Sequence, residues 1–168
     1  MITCISQRSF AQAIETDRIE SLHERDDKEI IQFVKDEFNT LNLTQRCTLL
    51  EQIALKKSDE IVLVAFSDKI TNEILMHKSK DETLSPLHVV SVLDSMLKLD
   101  AVHLSTESGS SQRVKNWMII ESIMGRSQSF FDMIEDAALI AMLIKRLHQS
   151  RNNLDVDELF EKAEIKLL

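Results

Sequence analysis

The chain has 168 residues, 43% hydrophobic and 29% charged, which is enough to bury one sizeable core and suits a single domain. Only 2 glycines and 1 proline leave little turn chemistry for a multi-stranded sheet, and 2 cysteines exclude a disulfide-stapled scaffold or a cysteine-built zinc cage. With 20 basic against 28 acidic residues the net charge is −8, a poor footprint for a protein that grips nucleic acid alone.

Met1 to Ala13 contains no acidic residue, and Arg8-Ser9-Phe10-Ala11 is similar to a matrix-protease cleavage context, which points to mitochondrial import. Transit peptides usually carry more arginine, and residues 9–24 also show weak helical patterning. Residues 1–25 therefore read as an N-terminal segment that is either targeting-like or a first helix, and 26–168 as a helical hairpin domain. Ile30, Ile31, Val34 and Phe38 mark a helix that starts near Asp26-Asp27 and fails at Asn39-Thr40. Leu49, Leu50 and Ile53 mark a short helix opened by Thr44. Ile61 to Phe66 is the longest apolar run, far below the ~20 residues of a membrane span, and resembles a buried strand. Its flanks argue for a helix over about 58–77: Ser58 can cap, Asp59-Glu60 suit a first turn, and Val62, Phe66, Ile70 and Ile74 keep helical period.

Leu84-Ser85-Pro86 is the clearest start signal, with Ser85 as N-cap, Pro86 in the first helical position and Leu84 able to staple onto Val89. That helix carries Val89, Val90, Leu93, Met96 and Leu97 on one face. The serine-rich stretch 105–111, with Gly109 inside it, reads as a flexible loop. Val114, Trp117, Met118, Ile120 and Met124 make the next helix, which Gly125 is placed to end in the left-handed conformation. Phe130 to Leu147 reads as the most apolar helix, with Phe130, Met133, Ile134, Ala137, Ala138, Ala141, Ile144 and Leu147 in one stripe. Its small residues would admit a close neighbour, so it is expected at the centre. Asp155-Val156-Asp157-Glu158 opens a last helix through Leu159, Ala163 and Leu167. The expected fold is all-α, a single-domain array of antiparallel helical hairpins, with Phe66, Ile70, Leu93, Met96, Trp117, Ile134, Ala138 and Ala141 mostly buried.

An internal repeat is suggested by the match of Leu41–Lys56 to Leu84–Leu99 at an offset of 43, which pairs Leu49 with Val92, Leu50 with Leu93, Glu51 with Asp94 and Ile53 with Met96. Met133 to Leu147 is a fainter third copy. The pattern Leu84-Ser85, Val89, Val92-Leu93, Ser95, Lys98-Leu99 resembles the repeat of the organellar FAST-kinase-like and octotricopeptide group. Leu41–Lys56 lacks the Leu-Ser opening and the Lys-Leu pair in register. The resemblance implies a helical-repeat fold and a role in mitochondria or plastids, on RNA or within ribosome-like assemblies. Nothing in the chain matches a nuclease-like C-terminal domain of that group.

Chemistry-bearing motifs are scarce. None of the histidines His23, His77, His88, His103 and His148 stands at metal-ligand spacing, and no glycine-rich phosphate loop exists. His77 and His148 suit helix C-termini. Paired acids fall mostly at expected helix starts; Glu135-Asp136, inside the most apolar helix, is the one pair placed for acid–base work, against the plainer reading of a solvated stripe. Cys47 beside Arg46 is either a lowered-pKa thiol or a small buried hydrophobe. Basic residues cluster at Arg113, Lys115, Lys145, Arg146 and Arg151, the surface expected to touch a partner or RNA, unless they only answer helix dipoles.

These features favour a non-catalytic adaptor or scaffold in a larger, mitochondrial, protein or ribonucleoprotein assembly, with other proteins as partners, RNA contacted only through a local basic patch, and no catalytic residue, metal or cofactor. The competing reading is a small helical enzyme or regulatory effector whose site is composed from several helices.

Overall fold

The computed structural model describes residues 16–77, 82, 84–103, 111–126, 130–149 and the positions 161, 164 and 166. The helices are α1 (Asp27–Glu37), α2 (Leu43–Lys56), α3 (Ile61–Leu75), α4 (Pro86–His103), α5 (Ser111–Arg126) and α6 (Ala137–Gln149), with short 3₁₀ turns at Leu22–Glu24, Phe38–Thr40 and Phe131–Met133. Residues 16–20 are also helical, and the described residues contain no strand. The chain is all-α. The import-like stretch 1–13 lies outside the described residues. So does the loop expected over 105–111, except Ser111, which opens α5. The start of the last helix at Asp155 is outside them too.

Local capping explains where the helices begin. The Asp26 carboxylate accepts from the Glu29 amide at 2.9 Å and starts α1 where the sequence placed it. α2 is opened not by the expected Thr44 but by Asn42, two residues earlier, because Asn42 and Gln45 cap reciprocally: Asn42 Oδ1 accepts from the Gln45 amide at 2.9 Å and Gln45 Oε1 from the Asn42 amide at 3.0 Å. It ends on Lys57, which takes the left-handed conformation at φ 52. The expected cap Ser58 instead donates to Asp27 Oδ2 at 2.6 Å, tying the loop to α1, and Glu60 caps α3. α3 is therefore shorter than 58–77. Its buried face is Leu63, Ser67, Ile70, Thr71 and Ile74, which leaves Phe66 only half buried and Val62 exposed.

α4 opens at Pro86 as expected. Ser85 Oγ accepts from the His88 amide at 3.3 Å, and His88 Nδ1 accepts from the Ser85 amide at 3.2 Å. With Nδ1 accepting, the ring proton sits on Nε2, which faces Thr44 Oγ1 at 3.4 Å. Gly125 does not end α5: it lies within the helix, and no described glycine has positive φ.

The largest departure is at 130–147. The stretch is not one helix; Phe131–Met133 is a 3₁₀ turn, and Asp136 caps α6 through the Ala138 amide at 2.8 Å. The break resets the helical phase, so a stripe continued from Phe130 falls on the wrong side of α6. Leu139, Ile140 and Leu143 are buried there, and Ala137, Ala138 and Ala141 are exposed. Burying a Leu or Ile contributes about 1.5–3 kcal/mol, far more than an alanine methyl, so the larger side chains take the core. Ala138→Gln and Ala141→Glu are accordingly expected to change stability by no more than about 0.5 kcal/mol. A large drop in denaturation midpoint would return these alanines to the core.

α2 packs against α3 and α4, α3 against α1, α4 and α5, α4 against α6, and the Leu22–Glu24 turn against α2. One core runs through these contacts, with Leu49 and Leu50 of α2, Val92 and Leu93 of α4, Ile120 of α5 and Leu143 of α6 fully enclosed. Ile70, Met96, Trp117 and Ile134 are buried as expected.

Candidate functional site

Four helices contribute to an ion-pair network within this core. Asp68 comes from α3, Asp100 from α4, Arg113 and Trp117 from one face of α5, and Arg146 from the last turn of α6. Arg113 Nε lies 3.3 Å from Asp68 Oδ1, and its Nη1 lies 3.5 Å from Asp100 Oδ1. Arg146 Nε approaches Asp100 Oδ2 at 3.7 Å while its guanidinium carbon sits 4.5 Å from the Trp117 ring centroid. Trp117 Nε1 donates to Asp100 Oδ2 at 2.8 Å. A polar ladder continues along α5: Asn116 Nδ2 donates to the Asp68 carbonyl at 2.9 Å, and Gln112 Nε2 donates to both Asn72 Oδ1 (2.8 Å) and Asn116 Oδ1 (3.0 Å).

Burial pushes the Asp100 carboxyl above its ordinary value, with the Asp68 charge adding to the shift; Arg146, Arg113 and the Trp117 N–H pull against it. A raised carboxyl is what a general acid needs. The void beside it, lined by Asp68, Thr71, Met96, Leu99, Asp100 and Arg113, is only about 10 Å³, room for one water and not for a substrate. Chemically the arrangement is an electrostatic clamp on four helices.

Of the five basic residues expected at one surface, the four that are described divide into two pairs. Arg113 and Arg146 turn inward and share Asp100, so they belong to the clamp and not to an exposed patch. Lys115 and Lys145 are exposed, and Arg151 lies outside the described residues. Glu135 and Asp136 are exposed, Asp136 as the α6 cap, so they form no buried acid pair. Cys47 is buried, and desolvation, followed by the Glu51 charge, pushes its thiol up to about 12: it is the small hydrophobe of the two readings. His23 pairs with Gln52, His77 lies 3.7 Å from Glu82, and His88 caps α4. No group of His, Cys, Asp or Glu among the described residues is arranged to hold a metal ion.

Asp68 and Asp100 are the site residues that sequence reasoning missed. Their signal was present: Asp68 is the one acid within Ile61–Ile70, and Asp100 stands between apolar neighbours, Leu97 and Leu99 before it and Ala101 and Val102 after. A second feature is an open cleft of about 770 Å³ at the N-terminal ends of α1 and α3, lined by Asp26, Asp27, Lys28, Ile31, Lys56 and residues 58–60. Its carboxylates are partly engaged, since Asp26 and Glu60 cap helices and Asp27 holds Ser58. No family model matches the chain, and neither a curated protein nor a solved structure matches it.

Proposed function

We propose that the chain is a non-catalytic scaffold, a stack of helical hairpins in two rows, that serves as an adaptor in a larger protein assembly. The observation that carries this reading is the order of helix contacts. The first helices of successive hairpins follow one another, from the Leu22–Glu24 turn to α2, α4 and α6; the second helices run α1, α3, α5. Units that touch mainly their neighbours are the organisation of a solenoid. The offset of 43 supports the same view. Asn42/Gln45 and Ser85/His88 make the same reciprocal cap, and Leu49/Val92, Leu50/Leu93, Gln52/Ser95, Ile53/Met96 and Ala54/Leu97 are buried pair by pair.

Protein contacts lead in this reading. Leu55, Ile61 and Val62 flank the α2–α3 turn and stay exposed, Ile61 at 81%, next to the charged cleft. RNA contact is secondary, because Arg113 and Arg146 are held by carboxylates and a net charge of −8 repels phosphate. We place the assembly in the mitochondrion on residues 1–13 and on the Leu84–Leu99 resemblance; fractionation of the native cell checks that compartment.

The test is recovery of the full chain from its native source beside an Ile61→Asp/Val62→Asp variant. The wild type should bring down a defined set of proteins that the variant loses at unchanged helicity, and the isolated chain should bind generic single-stranded RNA feebly at physiological salt. Tight, salt-resistant RNA binding by the isolated chain, or turnover of a small molecule, would overturn the scaffold reading.

A further inference from the structure

The α2–α3 turn exposes apolar side chains that the fold does not use. Nine residues at roughly 100° each put Ile61 on the side of α3 opposite buried Ile70. Ile61 stays 81% exposed, Ala65 one turn further on is exposed as well, and Leu55 and Val62 stand at 46% and 39%. Apolar side chains left in water beside a polar rim are the mark of a protein contact surface.

The cleft beside them says what kind of partner fits. It is lined by Asp26, Asp27, Asp59 and Glu60 against Lys28 and Lys56, a formal net −2 (2 − 4). Lys56 is already engaged: its Nζ donates to the Arg25 carbonyl at 2.6 Å and lies 4.0 Å from Asp27 Oδ1. Asp26 and Glu60 each use one oxygen to cap a helix, and the N-terminal dipoles of α1 and α3 offset part of their charge. Asp59 is exposed and makes no hydrogen bond or ion pair among the described residues, so it is the carboxylate most open to an incoming cation. Ile31 is the one apolar residue among those described as lining the cleft, so a small apolar ligand would find little to bury against. Phosphate groups and anionic lipid would be repelled.

We propose that the α2–α3 turn docks a segment of a partner protein in which an arginine or lysine stands beside a branched or aromatic apolar side chain. The cation enters the cleft against Asp59, and the apolar side chain covers Ile61 and Leu55. Arginine suits the cleft better than lysine, because its planar fork meets a carboxylate with two hydrogen bonds. The proposal rests on the scaffold reading and names the chemistry of its partner.

The probe is a random-peptide phage library selected on the full chain. Enriched peptides should pair arginine or lysine with a large apolar side chain and be poor in acids. A synthetic peptide of the enriched sequence should bind about tenfold more weakly to Asp59→Lys and to Ile61→Ser, both at unchanged helicity. Lys28→Glu should tighten binding about threefold, a gain that a merely structural turn would not give. Exchanging the peptide's cation for Glu should restore its binding to Asp59→Lys. Enrichment of acidic peptides, no enrichment at all, or full-strength binding to Asp59→Lys would overturn the proposal. In recovery from the native source, partners lost by Ile61→Asp/Val62→Asp but kept by Asp59→Lys would overturn the docking chemistry and leave the scaffold reading standing. Partners kept by both variants would remove both. Self-association of the full chain, abolished by Ile61→Ser, would overturn the proposal in favour of a second copy on the same face.

Discussion

Asp100→Ala should lower the stability of the folded chain by about 3–5 kcal/mol, the cost of removing one partner from a buried charged group. The substitution strips Arg146 of its carboxylate, takes one of two carboxylates from Arg113, and removes the acceptor from Trp117 Nε1. Asp100→Asn keeps an acceptor for the indole N–H and should cost less. The two variants also separate charge from shape through pH. Because the Asp100 carboxyl is raised in the folded state, the folded chain holds its proton more readily than the unfolded chain does. Its contribution to stability therefore grows as pH falls through the raised value and is lost as pH rises through it. Wild type should lose stability relative to Asp100→Asn on going up through that window, measured by denaturation at a series of pH values. A difference that moves the other way would mean that the arginines, not burial, govern Asp100. A Trp117→Ala/Asp100→Asn double-mutant cycle should be non-additive, since the two side chains share a hydrogen bond and both touch Arg146.

Leu93→Ala should cost about 2–5 kcal/mol, the range for a core leucine whose site collapses only in part. Leu93 is fully enclosed on α4, the helix that packs on both α2 and α6, so the cavity would open in the core that these helices share. Urea denaturation should show a lower midpoint with an unchanged slope. A loss under about 1 kcal/mol would mean that α2 and α4 close the gap by sliding together.

Helix starts were legible wherever the stabilising contacts are local. Asp26 and Ser85-Pro86 act on amides within three residues, so α1 and α4 begin where the sequence says. Thr44 and Ser58 were misjudged because better competitors stood nearby: Asn42 with Gln45 for α2, and Glu60 for α3 once Ser58 was drawn to Asp27. Core faces were legible along α4, whose periodicity is unbroken. They failed on α6, where the 3₁₀ turn at Phe131–Met133 shifts the phase and turns Ala138 and Ala141 outward.

By itself, the amino-acid sequence determined the helical class, the positions of most helices and the apolar residues available for burial, because caps, period and the shortage of glycine and proline act over a few residues. Only the tertiary structure decided what the arginines do. Arg113 and Arg146 are 33 residues apart and looked like parts of a basic surface until α4 brought Asp100 between them. Charges taken out of water need partners, and which partner is within reach depends on how helices far apart in the chain pack together.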